Sequence, residues 1–571
     1  MKEFFIQGTG RKVCIDDGDF KAQKSGGQAT VYLQGGTAYK IYSDPAGMVP
    51  PAKIRQLGML ADPRIVCPKE ILLNHSSEPV GYAMDAVTES YVLCQLFPRA
   101  FRDRQGITPA RVNDLVKQLA ELTRHFHDRG FLVVDLNEMN YLLSKSLDTI
   151  YQIDVDSIQT PSFPAAALMD SVRDRHARPN EFNTGTDWFA FAVVSFQMFV
   201  GIHPYKGIHP SIKSLDDRMK QNVSVLNPEV GVPAAVLPFA VIPDTYRQWY
   251  QAVLEEGCRI PPPEDWSLRS IRIPATQPVI AGQAFRIDAL FEVPAAIAGY
   301  YECSTAHSEY RDGVVVTADG IYAGAKRVAG ALPNTVIAST PRQGKPIAAW
   351  IDDGSVRFRD LIAGFELDQS FHAEQIMGTD GRIYLKQANA VMEVTFVEAG
   401  TSIVASIRLA ANVMPKSTQL FEGVAIQHTF GTCLASFFPR TGIHHILRIP
   451  EFEGGNVVDA RYQNKVLIAM VERSGIYSKL IMRFDEAFGN YDIRRIDDVA
   501  VQSINFTVLD SGVAIHINER DEVEIFRNEV NSPGIKTLAD PAVRGDARLY
   551  KRGAQAIIAR GSQMSAVAMK S

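Results

Sequence analysis

Hydrophobic and polar positions alternate in the N-terminal part of the chain, and this alternation predicts β-strands. In residues 25–42, alternating and β-branched residues flank Gly35 and Gly36, as in antiparallel strands joined by a hairpin turn. Two more strands are predicted around 71–73 and 80–84, with a short helix over 53–60. The pattern therefore indicates a small β-rich unit at the start of the chain.

Further along, the apolar positions follow a helical period. Residues 111–129 predict an amphipathic helix, with apolar side chains at 112, 115, 116, 119, 122 and 126. The segment 187–200 is apolar all round and ends at Gly201, so we expect a buried helix that Asp187 caps. Residues 246–256 continue the helical pattern.

From about residue 285 onward, short alternating strands are separated by polar turns. Seven units of this kind begin 33 to 47 residues apart, at 314–324, 347–360, 381–396, 423–438, 465–484, 512–526 and 554–570. This spacing is typical of four-stranded propeller blades, so the sequence predicts a seven-bladed β-propeller. An array of β-sandwiches is the structural alternative.

The chain has 571 residues, which is too long for one hydrophobic core. The change of pattern and the run of prolines at 261–263 predict a domain boundary. We therefore expect an α+β bilobal domain over 1–262, a linker over 263–284 and an all-β domain over 285–571.

Composition narrows the classes of function. The net charge of −5 and the pI near 6.2 argue against bulk binding of nucleic acid or of an anionic membrane. The six cysteines are scattered singly, so they predict neither a zinc site nor a disulfide framework. The most apolar segment, 188–202, is shorter than a membrane span. The sequence predicts a cytoplasmic protein with no nucleic-acid partner and no membrane partner.

Three polar residues in the stretch 133–157 have the spacing of a phosphoryl-transfer site. Asp135 and Asn140 are five residues apart, and Asp154 follows a short apolar strand. Phosphoryl transfer needs a carboxylate that orients the attacking hydroxyl, and hard oxygen ligands that hold magnesium against the triphosphate. We therefore expect Asp135 to be catalytic, and Asn140 and Asp154 to bind Mg²⁺.

The order of these elements resembles a protein kinase over roughly residues 20–262. Asp135-Leu136 followed by Asn140 is similar to the catalytic-loop motif HRDLxxxxN, and Asp154-Val155-Asp156 stands where DFG does. The run TDWFAFAVVSFQMFVGIHPYKG resembles the buried kinase helix that begins DVW and ends in G-x-x-P-F. More narrowly, YQIDVDSIQ and DWFAFAV resemble bacterial Ser/Thr kinases encoded beside protein phosphatase 2C-type and von Willebrand A-type proteins.

The resemblance implies an ATP site and the residues that would form it. Lys40 is similar to the strand lysine of the VAIK motif, which contacts the α- and β-phosphates. Gly26 and Gly27 would let backbone amides approach the phosphates. The residues that resemble those around the adenine are Val31, Ala38 and Leu142.

The chain also departs from the kinase pattern. The helix predicted over 53–60 has no acidic residue to pair with Lys40, and Gln56 or Glu70 would replace such a residue poorly. Val134 stands where the arginine before the catalytic aspartate is usual. This arginine orders a phosphorylated activation loop, so we expect activity that does not depend on such phosphorylation.

Asp156 replaces the glycine of DFG and raises a question of assignment. Residues 154 and 156 point the same way from a strand, so either carboxylate could face the metal. We assign the metal to Asp154, because it directly follows the apolar strand. We expect Asp156 to assist it or to cap the next turn.

The leading hypothesis is an ATP- and magnesium-dependent Ser/Thr protein kinase whose propeller recruits a protein substrate or regulator. Loss of chemistry usually removes at least one catalytic residue, and here Lys40, Asp135, Asn140 and Asp154 are all present. The resemblance also implies a protein phosphatase 2C-type enzyme and a von Willebrand A-type protein as partners. A nucleotide-binding pseudokinase scaffold and a small-molecule phosphotransferase are the alternatives.

Overall fold

The N-terminal strands form one antiparallel sheet of seven strands. A computed structural model describes residues 2–21, 29–165, 168–264, 284–303, 308–400, 402–532 and 534–570. The sheet has the order β2-β1-β6-β7-β5-β4-β3. Its strands are β1 (Lys2–Ile6), β2 (Lys12–Ile15), β3 (Phe20–Lys21), β4 (Ala29–Gln34), β5 (Thr37–Tyr42), β6 (Pro68–Leu73) and β7 (Pro79–Asp85). The predicted hairpin at Gly35 and Gly36 is present, whereas β1 and β2 add an edge that the alternation did not predict.

A mainly helical part follows the sheet. Its helices, with the short α1 that precedes β6, are α1 (Pro51–Leu57), α2 (Arg99–Gln105), α3 (Pro109–His127), α4 (Thr184–Val200), α5 (Leu215–Lys220) and α6 (Asp244–Leu254). A small sheet of order β10-β9-β8 lies beside them, with β8 (Ser90–Val92), β9 (Tyr141–Ser144) and β10 (Ile150–Gln152). Helix α1 covers 51–57 rather than the predicted 53–60, because Pro51 can occupy the first turn of a helix.

Helix α4 is buried by its neighbours, as its uniform apolarity predicts. The prediction that Asp187 caps it is wrong. The Asn183 side chain caps α4 instead, accepting hydrogen bonds from the backbone N–H groups of Gly185 and Thr186. Gly201 ends the helix at φ 81°, a left-handed conformation that suits glycine.

The C-terminal region, residues 284–570, consists of seven four-stranded antiparallel sheets in its described part. In chain order, the first sheet contains β12 (Ile297–Tyr301), β13 (Val314–Thr317), β14 (Gly320–Ala323) and β15 (Lys326–Gly330), and the second contains β16 (Val336–Ser339), β17 (Pro346–Asp352), β18 (Ser355–Asp360) and β19 (Phe371–His372). The third sheet contains β20 (Gln375–Thr379), β21 (Arg382–Gln387), β22 (Ala390–Ala399) and β23 (Ser402–Asn412), and the fourth contains β24 (Thr418–Phe421), β25 (Val424–Thr429), β26 (Thr432–Arg440) and β27 (Ile443–Arg448). The fifth sheet contains β28 (Asn456–Gln463), β29 (Val466–Arg473), β30 (Ile476–Phe484) and β31 (Tyr491–Ile496), and the sixth contains β32 (Phe506–Val508), β33 (Val513–Ile517), β34 (Glu522–Arg527) and β35 (Lys536–Ala539). The seventh contains β36 (Arg548–Arg552), β37 (Gln555–Arg560), β38 (Gln563–Met569) and, from the start of the region, β11 (Phe285–Glu292).

Each of the seven predicted repeat units lies on the two central strands of one of these sheets. Hydrophobic clusters join each sheet to the next, and a further cluster joins the seventh to the first. Strand β11 pairs antiparallel with β38 along its length. The beginning and end of the C-terminal region therefore meet in one sheet.

Three hairpin turns, each between the second and third strands of successive sheets, make part of the contact between the C-terminal region and the rest of the chain. The Phe430 ring lies 5.2 Å from that of Phe20. A Cβ atom added to Gly475 would lie 2.7 Å from Sδ of Met169. Asp521 accepts a 2.9 Å hydrogen bond from the N–H of Ala234. The hydrophobic cluster of the helical part also includes Val458, Met470, Tyr477, Val499 and Val501.

The predicted linker, 263–284, lies almost entirely outside the described residues, at 265–283. The division into separate domains at that place therefore stays a prediction. In the parts of the chain that are described, none of the helices has the length and apolarity needed to cross a membrane.

Candidate functional site

The loop that follows α3 brings together two of the predicted catalytic residues. The side-chain amide of Asn140 donates hydrogen bonds to the backbone oxygen of Asp135 at 2.9 Å and to its carboxylate at 3.0 Å. The side chain of Asn137 accepts from the N–H of Met139 and shapes the turn between them. Asp135 and Asn140 thus form one rigid unit.

Asp187 of α4 fixes the backbone from which Asp135 projects. It is fully buried, and its carboxylate accepts hydrogen bonds from the N–H groups of Val133 at 2.8 Å and Val134 at 2.9 Å. It also contacts Nε2 of His127 at 2.8 Å. Val134 has φ 61°, which is strained for a β-branched residue. The buried carboxylate therefore stabilises an unfavourable backbone conformation beside Asp135.

Asp154 joins this unit through the backbone and joins Lys40 through its side chain. The N–H of Ile153 donates to the backbone oxygen of Asn140 at 2.8 Å. Asp154 itself is left-handed, at φ 58° and ψ 61°, just after β10. Its Oδ1 lies 2.6 Å from Nζ of Lys40 on β5. The structure therefore connects all four predicted catalytic residues in one site.

Lys40 has a second carboxylate partner, Asp156, at 2.5 Å. The hydroxyl of Tyr82 donates to Oδ1 of Asp156 at 2.7 Å, and the hydroxyl of Tyr42 donates to Oδ2. Burial by itself would lower the pKa of Lys40, but the charges of Asp156 and Asp154 outweigh it and raise the pKa above its ordinary value. Lys40 is therefore a firmly protonated cation held between two carboxylates.

The two substitutes considered for the missing acidic partner serve other roles. Gln56 on α1 accepts a hydrogen bond from Thr160 at 2.6 Å and donates one to Ser162 at 3.0 Å. Glu70 forms an exposed ion pair with Arg11. The carboxylate of Asp156 binds Lys40 directly. This contact was not among the two roles expected for Asp156, which were to assist the metal ligand or to cap the next turn.

Asp135 also contacts the segment 168–172. Its Oδ1 accepts a 2.7 Å hydrogen bond from the N–H of Met169. Two residues on, the backbone oxygen of Ser171 accepts from Nε2 of His203 at 2.9 Å. On its other side, the segment packs against the turn at Gly475. The segment 168–172 is therefore anchored over the carboxylate expected to be catalytic.

Residues expected around the nucleotide are only partly described. Gly26 and Gly27 lie outside the described residues. Val31 is directly across the β4–β5 ladder from Lys40, and Ala38 is buried on the same strand as Lys40. Leu142 is buried on β9, in the strand that follows Asn140. Their contact with an adenine stays a prediction.

The C-terminal region reaches the catalytic loop itself. The hydroxyl of Tyr477, on β30, donates a 2.7 Å hydrogen bond to Oε1 of Glu138, which lies between Asp135 and Asn140. Both side chains are buried. Burial raises the pKa of Glu138, and the hydrogen bond from Tyr477 opposes that shift. The loop conformation therefore depends on a residue far away in the sequence.

The donor set fits magnesium better than a transition metal. Asp154 and Asn140 offer carboxylate and amide oxygens, the hard ligands that Mg²⁺ prefers. Across the described ranges, no group of three or more His, Cys, Asp and Glu side chains is arranged to hold a metal. Magnesium in nucleotide sites is usually held by one or two protein ligands together with phosphate oxygens, so a sparse protein donor set is compatible with it.

Several side chains of this site were not expected from the sequence. Tyr42 and Tyr82 bind the Asp156 carboxylate, and the ammonium group of Lys53 donates a hydrogen bond to the backbone oxygen of Asp156. These roles depend on contacts between distant strands and helices, for which local patterns carry no signal. Asp187 did carry one, because an acidic residue in an otherwise apolar, buried helix needs a polar partner.

Comparison with known proteins adds little to this geometry. No protein-family model and no curated protein matches the chain. Among solved structures, the chain is similar to the kinase PK-1 of Cydia pomonella granulovirus. The identity is 14%, the TM-score is 0.31, and the match covers 41% of this chain and 87% of that chain.

Proposed function

We propose that the chain is an ATP- and magnesium-dependent protein kinase that transfers phosphate to Ser or Thr of a protein substrate. The observation that carries the proposal is the continuous connection from Lys40 through Asp154 to Asn140 and Asp135. Residues for phosphate binding, metal binding and hydroxyl orientation come from distant parts of the chain and meet in one place. Phosphoryl transfer relies mainly on such positioning and on charge stabilisation.

In this proposal each side chain has one role. Lys40 binds the phosphates of ATP, and Asp154 and Asn140 hold the metal. Bound magnesium would neutralise charge that develops on the phosphates. Asp135 accepts a hydrogen bond from the substrate hydroxyl and aims it at the terminal phosphorus. The substrate hydroxyl would compete for Asp135 with the N–H of Met169.

We further propose that the C-terminal region is a seven-bladed β-propeller. Seven four-stranded sheets, the clusters between neighbouring sheets and the pairing of β11 with β38 support this proposal. The hairpin turns at Phe430, Gly475 and Asp521 face the rest of the chain. A protein substrate or regulator would therefore bind on the opposite side. A protein phosphatase 2C-type enzyme and a von Willebrand A-type protein are the proposed partners.

A nucleotide-binding pseudokinase scaffold is the second candidate. It is favoured by the hydrogen bond from the N–H of Met169 to Oδ1 of Asp135, which uses the carboxylate that a substrate would need. In such a scaffold the same pocket would bind ATP, but no phosphate would be transferred.

Metal-dependent ATP binding tests the proposed site. ATP affinity of the full chain is measured by titration with a fluorescent ATP analogue, in magnesium and in EDTA. We expect tighter binding in magnesium, and we expect Asp154→Asn to remove most of that difference. Asp85→Asn, which removes an exposed carboxylate paired with Lys69 on the same sheet, is the matched control. Equal affinity of the wild type in magnesium and in EDTA would contradict the metal assignment.

A further inference from the structure

Lys40 needs a partner that keeps its ammonium group in place while Asp154 serves the metal. Helix α1, with the sequence PAKIRQL, contains no acidic residue that could supply this partner. Asp154 is already assigned to magnesium in the proposed function. As a metal ligand, Asp154 would be less available to Lys40, because a carboxylate interacts more strongly with a divalent cation than with a single ammonium group.

We propose that Asp156 is the positioning residue that holds Lys40 for the phosphates of ATP, in place of an acidic residue on α1. This inference rests on the proposed function, because it assumes that Lys40 binds phosphate. It gives a role to a residue at the position where the kinase pattern has glycine.

The Asp156 carboxylate is fixed by hydrogen bonds at both of its oxygens. Oδ2 binds Nζ of Lys40 at 2.5 Å and accepts from the hydroxyl of Tyr42, while Oδ1 accepts from the hydroxyl of Tyr82 at 2.7 Å. The Asp156 side chain is 15% exposed. Because its donors come from β5 and β7, the carboxylate is immobilised against the sheet that carries Lys40.

The backbone of Asp156 is tied to α1. The ammonium group of Lys53, a residue only 2% exposed, donates to the backbone oxygen of Asp156 at 2.7 Å. In the kinase pattern this helix supplies an acidic residue, whereas here α1 supplies a basic one. Helix α1 supplies a cation that anchors the loop after β10, and that loop supplies the anion for Lys40. Lys53 and Asp156 thus connect α1, the loop and β5, in place of a direct ion pair between α1 and Lys40.

The rings of the two tyrosines also favour this position of Lys40. Nζ lies 5.5 Å from the ring centroid of Tyr42 and 5.8 Å from that of Tyr82. At these distances an ammonium group is attracted by an aromatic face. Lys40, Asp156, Tyr42 and Tyr82 therefore form one cluster, in which each group limits the movement of the others.

The test is a double-mutant cycle on ATP binding. The affinity of the full chain for a fluorescent ATP analogue is measured with magnesium for wild type, Lys40→Met, Asp156→Asn and the double variant. Loss of Lys40 should weaken binding by about tenfold when Asp156 is present, on the scale of a charge-assisted hydrogen bond. In the Asp156→Asn background the same loss should be less than about twofold, because Lys40 is no longer held toward the phosphates. Comparing Lys40 variants within each background cancels the general effect of removing a negative charge.

Two results distinguish a failure of this inference from a failure of the proposed function. Equal effects of Lys40→Met in both backgrounds would overturn the role of Asp156 and leave the proposed function intact. No effect of Lys40→Met in either background would overturn the phosphate role of Lys40, and the inference with it. Phosphate transfer gives a second readout, since Asp156→Asn should lower kcat only where Lys40 is present.

A second variant, which keeps the carboxylate, is used if Asp156→Asn destabilises the fold. If Asp156→Asn shifts the melting temperature strongly, the cycle is repeated with Tyr42→Phe and Tyr82→Phe combined, which removes the two hydroxyl donors but leaves Asp156. The effect of Lys40→Met should then lie between the two values above. An effect as large as in the wild type would contradict the proposal.

Discussion

A single buried carboxylate, Asp187, supports the backbone on which the proposed catalysis depends. Its two hydrogen bonds from Val133 and Val134 have charged acceptors and lie in the interior, and each is worth about 1.5 kcal/mol or more. Asp187→Ala should therefore lower the free energy of unfolding by about 3 kcal/mol, measured by urea denaturation. Asp114→Ala, an exposed acidic residue on α3, is the control and should change it by less than about 0.5 kcal/mol. Similar losses for the two variants would contradict this role.

His203 gives the stability a defined pH dependence. Its Nδ1 accepts from the N–H of Tyr205 and its Nε2 donates to Ser171, an arrangement that requires the neutral ring. Burial lowers the pKa of His203 from 6.5 to about 3. As the pH falls, the unfolded chain therefore binds a proton at His203 before the folded chain does. The contribution of His203 to stability is fully present above about pH 6.5 and is lost as the pH drops toward 3.

The His203 contribution is measured as the difference between wild type and His203→Gln in urea denaturation at pH 7.5 and pH 5. The wild type should lose more stability than the variant between these two values. Parallel losses would show that other groups cause the acid dependence.

At the scale of residues, spacing along the chain was enough to place Asp135 and Asn140 together in one loop, while their roles in catalysis stay predictions. Asp135 and Asn140 lie five residues apart in a single loop, and the structure brings them into contact. The partner of Lys40 could not be found in this way, because Asp156 reaches it only after β5, β7 and the loop beyond β10 have come together. Contacts that depend on tertiary folding leave no local pattern.

At the scale of elements, the segment 168–172 lies against Asp135, whose carboxylate accepts a hydrogen bond from the N–H of Met169. Met169 has φ −71°, which proline can adopt, so Met169→Pro would remove the N–H that binds Asp135 at an unchanged φ. We expect Met169→Pro to raise phosphate transfer several-fold. Met169→Ala keeps the N–H and should change transfer little. Equal rates for the two variants would show that this N–H does not compete with the substrate.

Helices and repeats were predicted best where the hydrophobic period is long and regular. Helix α3 and the seven strand pairs of the C-terminal region were recognised from periodicity alone. Helix α2 was missed and α1 was displaced, because a helix of seven residues is too short for a clear period. The short strands β1 and β2 were missed for the same reason.

At the scale of the molecule, the N-terminal and C-terminal parts should stay together after the chain is cut between them. They share a hydrophobic cluster, the hydrogen bond from Tyr477 to Glu138, and an ion pair of Lys206 with Asp498 at 2.7 Å. A specific protease site inserted within 265–283 allows cleavage at one place. We expect both fragments to elute together in size-exclusion chromatography at moderate salt. Separate elution would contradict a stable interface and would support independent domains.

In the proposed function, Asp135 directs phosphate transfer from ATP to a protein hydroxyl. The most direct measurement is incorporation of labelled phosphate from ATP with magnesium into Ser- and Thr-containing protein acceptors, comparing the full wild-type chain with Asp135→Asn. We expect transfer by the wild type and a reduction of roughly a hundredfold or more in the variant, with unchanged ATP affinity and unchanged melting temperature. Equal transfer by the two proteins would show that Asp135 is not catalytic, and ATP binding by the wild type without any transfer would show that the chain is not a kinase.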